Sequence, residues 1–280
     1  MKEAIAMSTP YAERSERFVK LHARSGSFVI PNPWDAGSSR MLTALGFEAL
    51  ATSSGAAAGT LGRRDGKITR AEALAHARAI VEATDLPVAA DLEKGFGDSP
   101  DDAALTIREA AGIGLVGGSI EDSSGDATKP IYDLALATRR IEAAVAAART
   151  APSKFMLTAR AENFIRGNPD LDDTIARLKA YEKAGADVLF APGLPDIDAV
   201  RKVCASLDRP FNFMVGIKGK SFSVADLTAA GVKRISLATS LYRMAMTGLI
   251  EAAREVKDKG TFSYLDRSLA TPDINAFLKS

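Results

Sequence analysis

A single cysteine, a single tryptophan and only two histidines occur in 280 residues, and each scarcity removes a class of chemistry. Cys204 by itself can form neither an intrachain disulfide nor a thiolate metal cage, so a reducing, cytoplasmic setting is expected. His22 and His76 both fall in stretches of helical period, which leaves histidine acid–base chemistry and zinc catalysis almost without candidates. Cys204 lies within VRKVCASL and reads as a small buried apolar residue rather than a nucleophile. No window approaches the roughly eighteen uncharged apolar residues of a membrane span. The opening MKEAIAMSTPYAERSERF is too charged for a secretory signal, and no Asn-X-Ser/Thr sequon occurs. Charge of one sign is lacking as well, with 36 Lys plus Arg against 35 Asp plus Glu. A net charge of +1 gives no field to hold nucleic acid or an anionic membrane, and 6% aromatics offers few stacking surfaces. An acidic ligand must therefore be met by a local site.

What is present is an ordinary globular composition, 46% hydrophobic and 25% charged, arranged in a regular alternation. Short β-type apolar runs at Phe28–Pro31, Ala49–Ser53, Val88–Leu92, Gly118–Glu121, Phe155–Arg160, Val188–Ala191, Phe211–Val215 and Ile235–Ala238 are each followed by a stretch of helical period. LTALGFEAL, IREAAGIGLVGGSI, YEKAGADVLF and LTAAGVKRISL repeat one device, a helix that stops at glycine and runs into a buried strand. Thr69 and Pro100 suit helix starts, and Gly46, Gly112, Gly185 and Gly231 suit stops. A doubly wound sheet would show the same alternation, but eight comparable units without a linker favour a closed barrel. The predicted fold class is α/β, a (β/α)8 TIM-type barrel over residues 27–260. A helical leader spans residues 1–26, with its helix at Ala12–Ala23, and a helical extension covers residues 261–280. Such appendages either cap the barrel bottom or pack on another subunit.

In a parallel barrel the site lies at the carboxyl ends of the strands, which makes position the filter for chemistry. The third strand ends in DLEKGFGD, where Asp91 and Glu93, two residues apart, aim toward one side. Glu121 joins them from the neighbouring strand end. Three anions repel unless a cation or protons intervene, and oxygen donors suit Mg²⁺ or Mn²⁺. The same acids can instead cap helices or pair with Lys94. Arg160, closing the fifth strand, can grip a substrate carboxylate bidentately or neutralise the acids, and the two roles are compatible. Glu162 is a weaker candidate. Ser53, Ser54 and Gly55 offer hydroxyls and N–H groups to an oxyanion, or form a plain turn. Asp65, in RRDGKIT, is either an acid, base or water ligand at the mouth or a surface Asp-Gly turn. Trp34 is expected to pack at the first strand end, and Asp35 to cap the next helix or lean into the mouth. Gly112–Gly117 fits GxGxxG but runs from helix into strand, the reverse of a dinucleotide site. Gly219-Lys220-Ser221 lacks the first glycine of a Walker loop.

In order, PNPWDAGSSRML, ATSSGAAA, RRDGKIT, PVAADLEKGFGD, GGSIED, LTARAENF and GVKRISLATSLYR resemble the isocitrate lyase/phosphoenolpyruvate mutase superfamily over about residues 18–255. The resemblance implies a (β/α)8 barrel, often with a helix exchanged between subunits of a dimer-of-dimers homotetramer. It implies Mg²⁺ or Mn²⁺ acting on small 2-oxo or 2-hydroxy acids. It places Asp91, Glu93 and Glu121 in the metal set, some through water. Arg160 then grips substrate, Ser54, Gly55 and Ala56 form a backbone oxyanion pocket, and Asp65, Arg160 and Glu121 are the catalytic set. The chain departs from the family in its loop after the fourth strand. There DSSGDATKPIYD lacks the Lys-Lys-Cys-Gly-His of the lyases, and Lys129 is its sole basic residue, which matches the phosphonopyruvate mutases no better. The pattern resembles the divergent branch that includes oxaloacetate decarboxylase. The function so implied is a Mg²⁺-dependent carbon–carbon lyase on a small 2-oxo dicarboxylate. The alternatives are a 2-hydroxy acid lyase of 2-methylisocitrate or dimethylmalate type, and a barrel that binds a 2-oxo acid without efficient turnover.

Overall fold

The computed structural model describes residues 3–278, with side chains from Tyr11 onward. Eight strands occur in chain order: β1 (Phe28–Ile30), β2 (Leu50–Ala51), β3 (Val88–Asp91), β4 (Gly117–Glu121), β5 (Met156–Arg160), β6 (Val188–Phe190), β7 (Phe211–Met214) and β8 (Arg234–Ser236). Around and between them run α1 (Glu3–Ala23), α2 (Ala36–Ala44), α3 (Ser54–Thr60), α4 (Arg70–Glu82), α5 (Pro100–Gly112), α6 (Leu134–Arg149), α7 (Leu171–Lys183), α8 (Ile197–Ala205), α9 (Val224–Ala229), α10 (Ser240–Lys259) and α11 (Thr271–Phe277). All strands are parallel, and the ladder runs β1-β8-β7-β6-β5-β4-β3-β2. The seam between β1 and β2 is stitched by the Ala51 N–H, which donates to the Pro31 carbonyl at 3.0 Å. Asn32 spans the same region, its Nδ2 donating to Thr52 O at 2.8 Å and its Oδ1 accepting from Leu237 N at 2.9 Å. The result is the nearly closed (β/α)8 barrel expected from the alternation.

Local chemistry explains where the helices begin and end. Thr69 caps α4 in a reciprocal box with Glu72, Ser99 does the same for α5 with Asp102 ahead of Pro100, and Asp35 caps α2 together with Ser38. Asp35 is thus committed to the helix rather than to the barrel mouth. Trp34 meets the Tyr242 ring edge-on at 5.8 Å. Gly46, Gly185 and Gly231 carry the positive φ that ends a helix, whereas Gly112 is the last helical residue of α5 and Gly114, at φ +90°, makes the turn.

The leader packs beneath the barrel. Phe18 and Leu21 of α1 bury against Phe28, Val116, Met156 and Val188 at the N-terminal ends of the strands. His22 stands edge-on to both Phe18 and Phe28, at 4.6 and 4.9 Å. Its Nδ1–H donates to the Phe18 carbonyl at 2.8 Å, so Nε2 is the acceptor facing Arg234 Nη1 at 3.5 Å. Burial, reinforced by the Arg234 charge, pushes the imidazole down to about 3. A neutral buried histidine contributes stability that is complete above its unfolded value, near 6.5, and is lost as pH falls toward the folded one. We expect wild-type stability to drop by roughly 1.4 kcal/mol per pH unit between about pH 6 and pH 4 from this group alone. Urea titrations of His22→Gln should show a flatter profile over that window, and parallel curves would refute the assignment.

At the other end of the chain, α10 leaves the barrel with no buried residue. Met244, Leu249, Ile250 and Val256 are exposed along it, followed by Phe262, Leu265 and Leu269. No helix among the described residues is long and apolar enough to cross a membrane.

Candidate active site

A cavity of about 440 Å³ opens at the carboxyl ends of the strands. Ser53, Ser54, Asp65, Asp91, Glu93, Glu121 and Arg160 all line it, so seven of the candidates share one volume. Gly55 and Ala56 lie one layer behind. Gly55 packs under the mouth so tightly that a Cβ there would meet Thr239 Cγ2 at 2.9 Å and Asp65 Oδ2 at 3.3 Å. The loop carrying Asp65 therefore closes directly onto the start of α3. Ser53, the N-cap of α3, makes no side-chain cap bond, which leaves the first-turn N–H groups without a side-chain acceptor from it.

Arg160 organises the acids. Its Nη1 reaches Asp91 Oδ1 at 3.1 Å, while Nη2 reaches Glu162 Oε1 at 2.9 Å and Glu121 Oε2 at 3.3 Å. The guanidinium lies over the Phe190 ring, 4.8 Å from its centre. Burial alone would lower the arginine, yet Glu162, Glu121 and Asp91 together hold it above its ordinary value. Asp91 gathers further donors, accepting from Ser54 N at 3.2 Å on Oδ2 and from Glu93 N at 3.2 Å on Oδ1. Register explains the meeting, since Glu121 pairs across the ladder with Arg160 and Asp91 with Ser119.

Glu93 arrives by a different route from the one its spacing suggests. Strand β3 ends at Asp91, and Glu93 sits in the following turn at φ +49°, in the left-handed region. Ala238, at φ +49° beyond β8, also lines the cavity. Strain of this kind persists where the surroundings over-determine the backbone. Burial, with Asp91 and Asp65 nearby, pushes the Glu93 carboxyl up to about 7. Its Oε1 is buried without a hydrogen-bond partner. Burial likewise raises Glu121 well above the usual carboxylate range, Glu162 adding to the effect.

Several contributors escaped sequence reasoning. Arg166 completes the charge cluster, with Nη2 3.2 Å from Glu121 Oε1 and Nε 3.4 Å from Glu162 Oε2. Glu162, fully buried between the two arginines, is a positioning group rather than a peripheral one. Beneath it, Asp122 accepts from the Glu162 N–H at 2.8 Å and from Tyr181 and Arg177 at 2.6 and 3.1 Å. Asn212 and Arg234 also line the cavity, on β7 and β8. Polar residues inside otherwise buried strands, FNFM and RIS, were the signal for both. The loop from Asp122 to Asp133 sends no side chain into the cavity. It folds on itself through a Ser123–Ile131 bridge, and Lys129 faces Asp133 at 3.9 Å.

A family model described as phosphoenolpyruvate phosphomutase matches residues 18–257. The chain belongs to the isocitrate lyase/PEP mutase superfamily. An uncharacterized Mycobacterium tuberculosis protein is 32% identical to it over 263 residues, 93% of this chain and 95% of its own length. The 2,3-dimethylmalate lyase of Eubacterium barkeri is 28% identical, covering 88% of each chain. Among solved structures, a Burkholderia cenocepacia J2315 chain put forward as a lyase/mutase is 48% identical, with a TM-score of 0.95 over 97% of this chain and 98% of its own. Other relatives carry the names 2-methylisocitrate lyase and oxaloacetate acetylhydrolase.

Among the described residues no three acidic side chains close on one point tightly enough to hold a hard divalent cation as they stand. Asp91 and Glu121 each spend an oxygen on Arg160. The chemistry of the set fits nevertheless: it is all oxygen, and Glu93 Oε1 is a buried acceptor with nothing to accept.

Proposed function

We propose that the protein is a Mg²⁺- or Mn²⁺-dependent carbon–carbon lyase of the cytoplasm acting on a small 2-oxo dicarboxylate, decarboxylation of oxaloacetate being its most concrete form. One observation carries this reading: a buried arginine and a crowd of carboxylates share the cavity, while the adjacent loop contributes no thiol, imidazole or lysine. Asp91, Glu93 and Glu121 would hold the cation, some of them through water. When bound, the cation supplies a Lewis acid toward a 2-oxo carbonyl and its carboxylate. Arg160 orients the substrate carboxylate against that centre, held in turn by Glu162 and Phe190. Ser54, with Gly55 and Ala56 behind it, presents the start of α3 to a developing oxyanion. Asp65 closes the mouth and crowds negative charge toward Glu93. Burial first, then Asp91 and Asp65, disfavour the bare Glu93 carboxylate, a penalty that a bound cation would relieve. Bond cleavage that leaves an enolate needs no strong nucleophile, which suits a cavity without one.

The test follows purified protein by NMR with Mg²⁺, offering oxaloacetate, phosphonopyruvate, methylisocitrate and dimethylmalate separately, with protein-free metal as control. Pyruvate and CO₂ from oxaloacetate, above the metal background, are the expected products. A second reading, cleavage of a 2-hydroxy acid, is supported by the relative that bears the name 2,3-dimethylmalate lyase. It predicts a second carbon product beside pyruvate.

The assembly we propose is a homotetramer in which α10 is exchanged between subunits. Support comes from the apolar residues that α10 leaves exposed, Met244 and Leu249 foremost at 69% and 61%. Light scattering on the double variant Met244→Glu, Leu249→Glu should give a mass reduced at least twofold, and an unchanged mass would count against this assembly.

A further inference from the structure

Below the carboxylate–arginine cluster the same cavity continues into the barrel, and its floor carries the opposite electrostatic character. Arg234, the first residue of β8, lines the cavity yet is only 6% exposed. Its partners are all neutral. Nε donates to Asn212 Oδ1 at 2.8 Å, Nη2 to Thr158 Oγ1 at 2.9 Å, and Nη1 faces the unprotonated His22 Nε2 at 3.5 Å. Asn212 is fixed in turn by its bond to Ser236 Oγ at 3.1 Å. Among the described residues no carboxylate pairs with this guanidinium, and burial alone acts on it, lowering it to about 9. Arg160 and Arg177 are compensated, the first by Asp91, Glu121 and Glu162 and the second by Asp122 and Asp173, while buried Arg140 donates to the Ser99 and Lys94 carbonyls, lies over the Tyr132 ring and does not line the cavity.

Taking a cation out of water costs several kcal/mol unless a counter-charge returns it, so an unpaired guanidinium facing a cavity is a site waiting for an anion. Three of its five N–H groups are used, leaving two for a ligand. The position also fits. Thr158, which touches Arg234, lies on β5 two residues below Arg160, about 6.6 Å along the strand. The one cavity therefore holds two guanidinium groups at different depths, Arg160 among the carboxylates and Arg234 at the level of Thr158.

We propose that Arg234, set by Asn212 and Thr158, is an anion subsite that receives the distal carboxylate of the substrate and so selects dicarboxylates over monocarboxylates. This rests on the lyase reading above, which assigns the other carboxylate to Arg160. Racemic malate and racemic lactate share one 2-hydroxy acid head and differ in the distal carboxylate, which makes them the probes. Calorimetric titration in the presence of Mg²⁺ should show wild type preferring malate at least tenfold. In Arg234→Met the preference should fall to within about twofold, with lactate affinity unchanged, while Arg234→Lys retains part of it. Thr158→Val, which removes only the hydroxyl that positions the guanidinium, should lose a smaller share of the same preference. Lactate binding serves as the internal control for an intact fold. A preference that survives Arg234→Met, a parallel loss of both affinities, or a wild type without preference would overturn the subsite and leave the lyase reading standing. Binding of neither acid to wild type would overturn both.

Discussion

Replacing Arg160 by methionine is expected to cost about 3–5 kcal/mol of stability at pH 8 and to lower turnover by about 10³-fold or more. The side chain is the shared counter-charge of Asp91, Glu121 and Glu162, and Glu162 is completely inaccessible to solvent. Without it, buried carboxylates stand against each other with only Arg166 to balance them. Their folded-state values, already raised by burial, must rise further. An acid raised on folding weakens the native state as pH climbs from its unfolded value through its folded one. The penalty of Arg160→Met should therefore be largest at pH 8 and shrink toward pH 5, as Glu121 and Glu162 take up protons. Urea unfolding at the two pH values decides it, and an equal loss at both would reduce Arg160 to packing. Arg160→Lys restores the charge without the planar fork that serves three acids at once. It should recover most of the stability but little of the turnover.

Asp91→Ala should abolish metal-dependent turnover, by about 10³-fold, with a milder effect on the fold. Asp91 is the acceptor that joins three elements, binding Ser54 N on α3, Glu93 N beyond its own strand and Arg160 on β5. Its removal frees the start of α3 and the strained turn at Glu93 together. A readout apart from activity is the effect of Mg²⁺ on thermal unfolding. At a hundredfold excess over its dissociation constant, a bound ion stabilises by about 2.7 kcal/mol. Wild type should gain on that scale and Asp91→Ala should gain almost nothing. Undiminished Mg²⁺-dependent turnover in a folded Asp91→Ala protein would remove Asp91 from the metal set.

The sequence by itself determined the barrel, because eight repeats of strand, helix and glycine stop are local patterns that backbone geometry reads directly. Thr69, Ser99 and Asp35 cap their helices with residues only three positions away, and all eight strands formed where β-type runs stood. The strand-end residues Asp91, Glu121 and Arg160 were legible for the same reason, since parallel strands deliver their carboxyl ends to one face, whereas Asp65 was singled out only by the family resemblance. Tertiary structure alone decided the pairings. Arg166 meets Glu121 across 45 residues and Arg234 meets Thr158 across 76, separations set by ladder register and barrel closure. The leader helix gave no hint that His22 would rise beneath Arg234, a contact made across 212 residues. Spacing also could not show that Glu93 reaches the mouth through a left-handed turn rather than along a strand. Local sequence fixes which groups point inward, whereas the charge each one meets there depends on packing between distant strands.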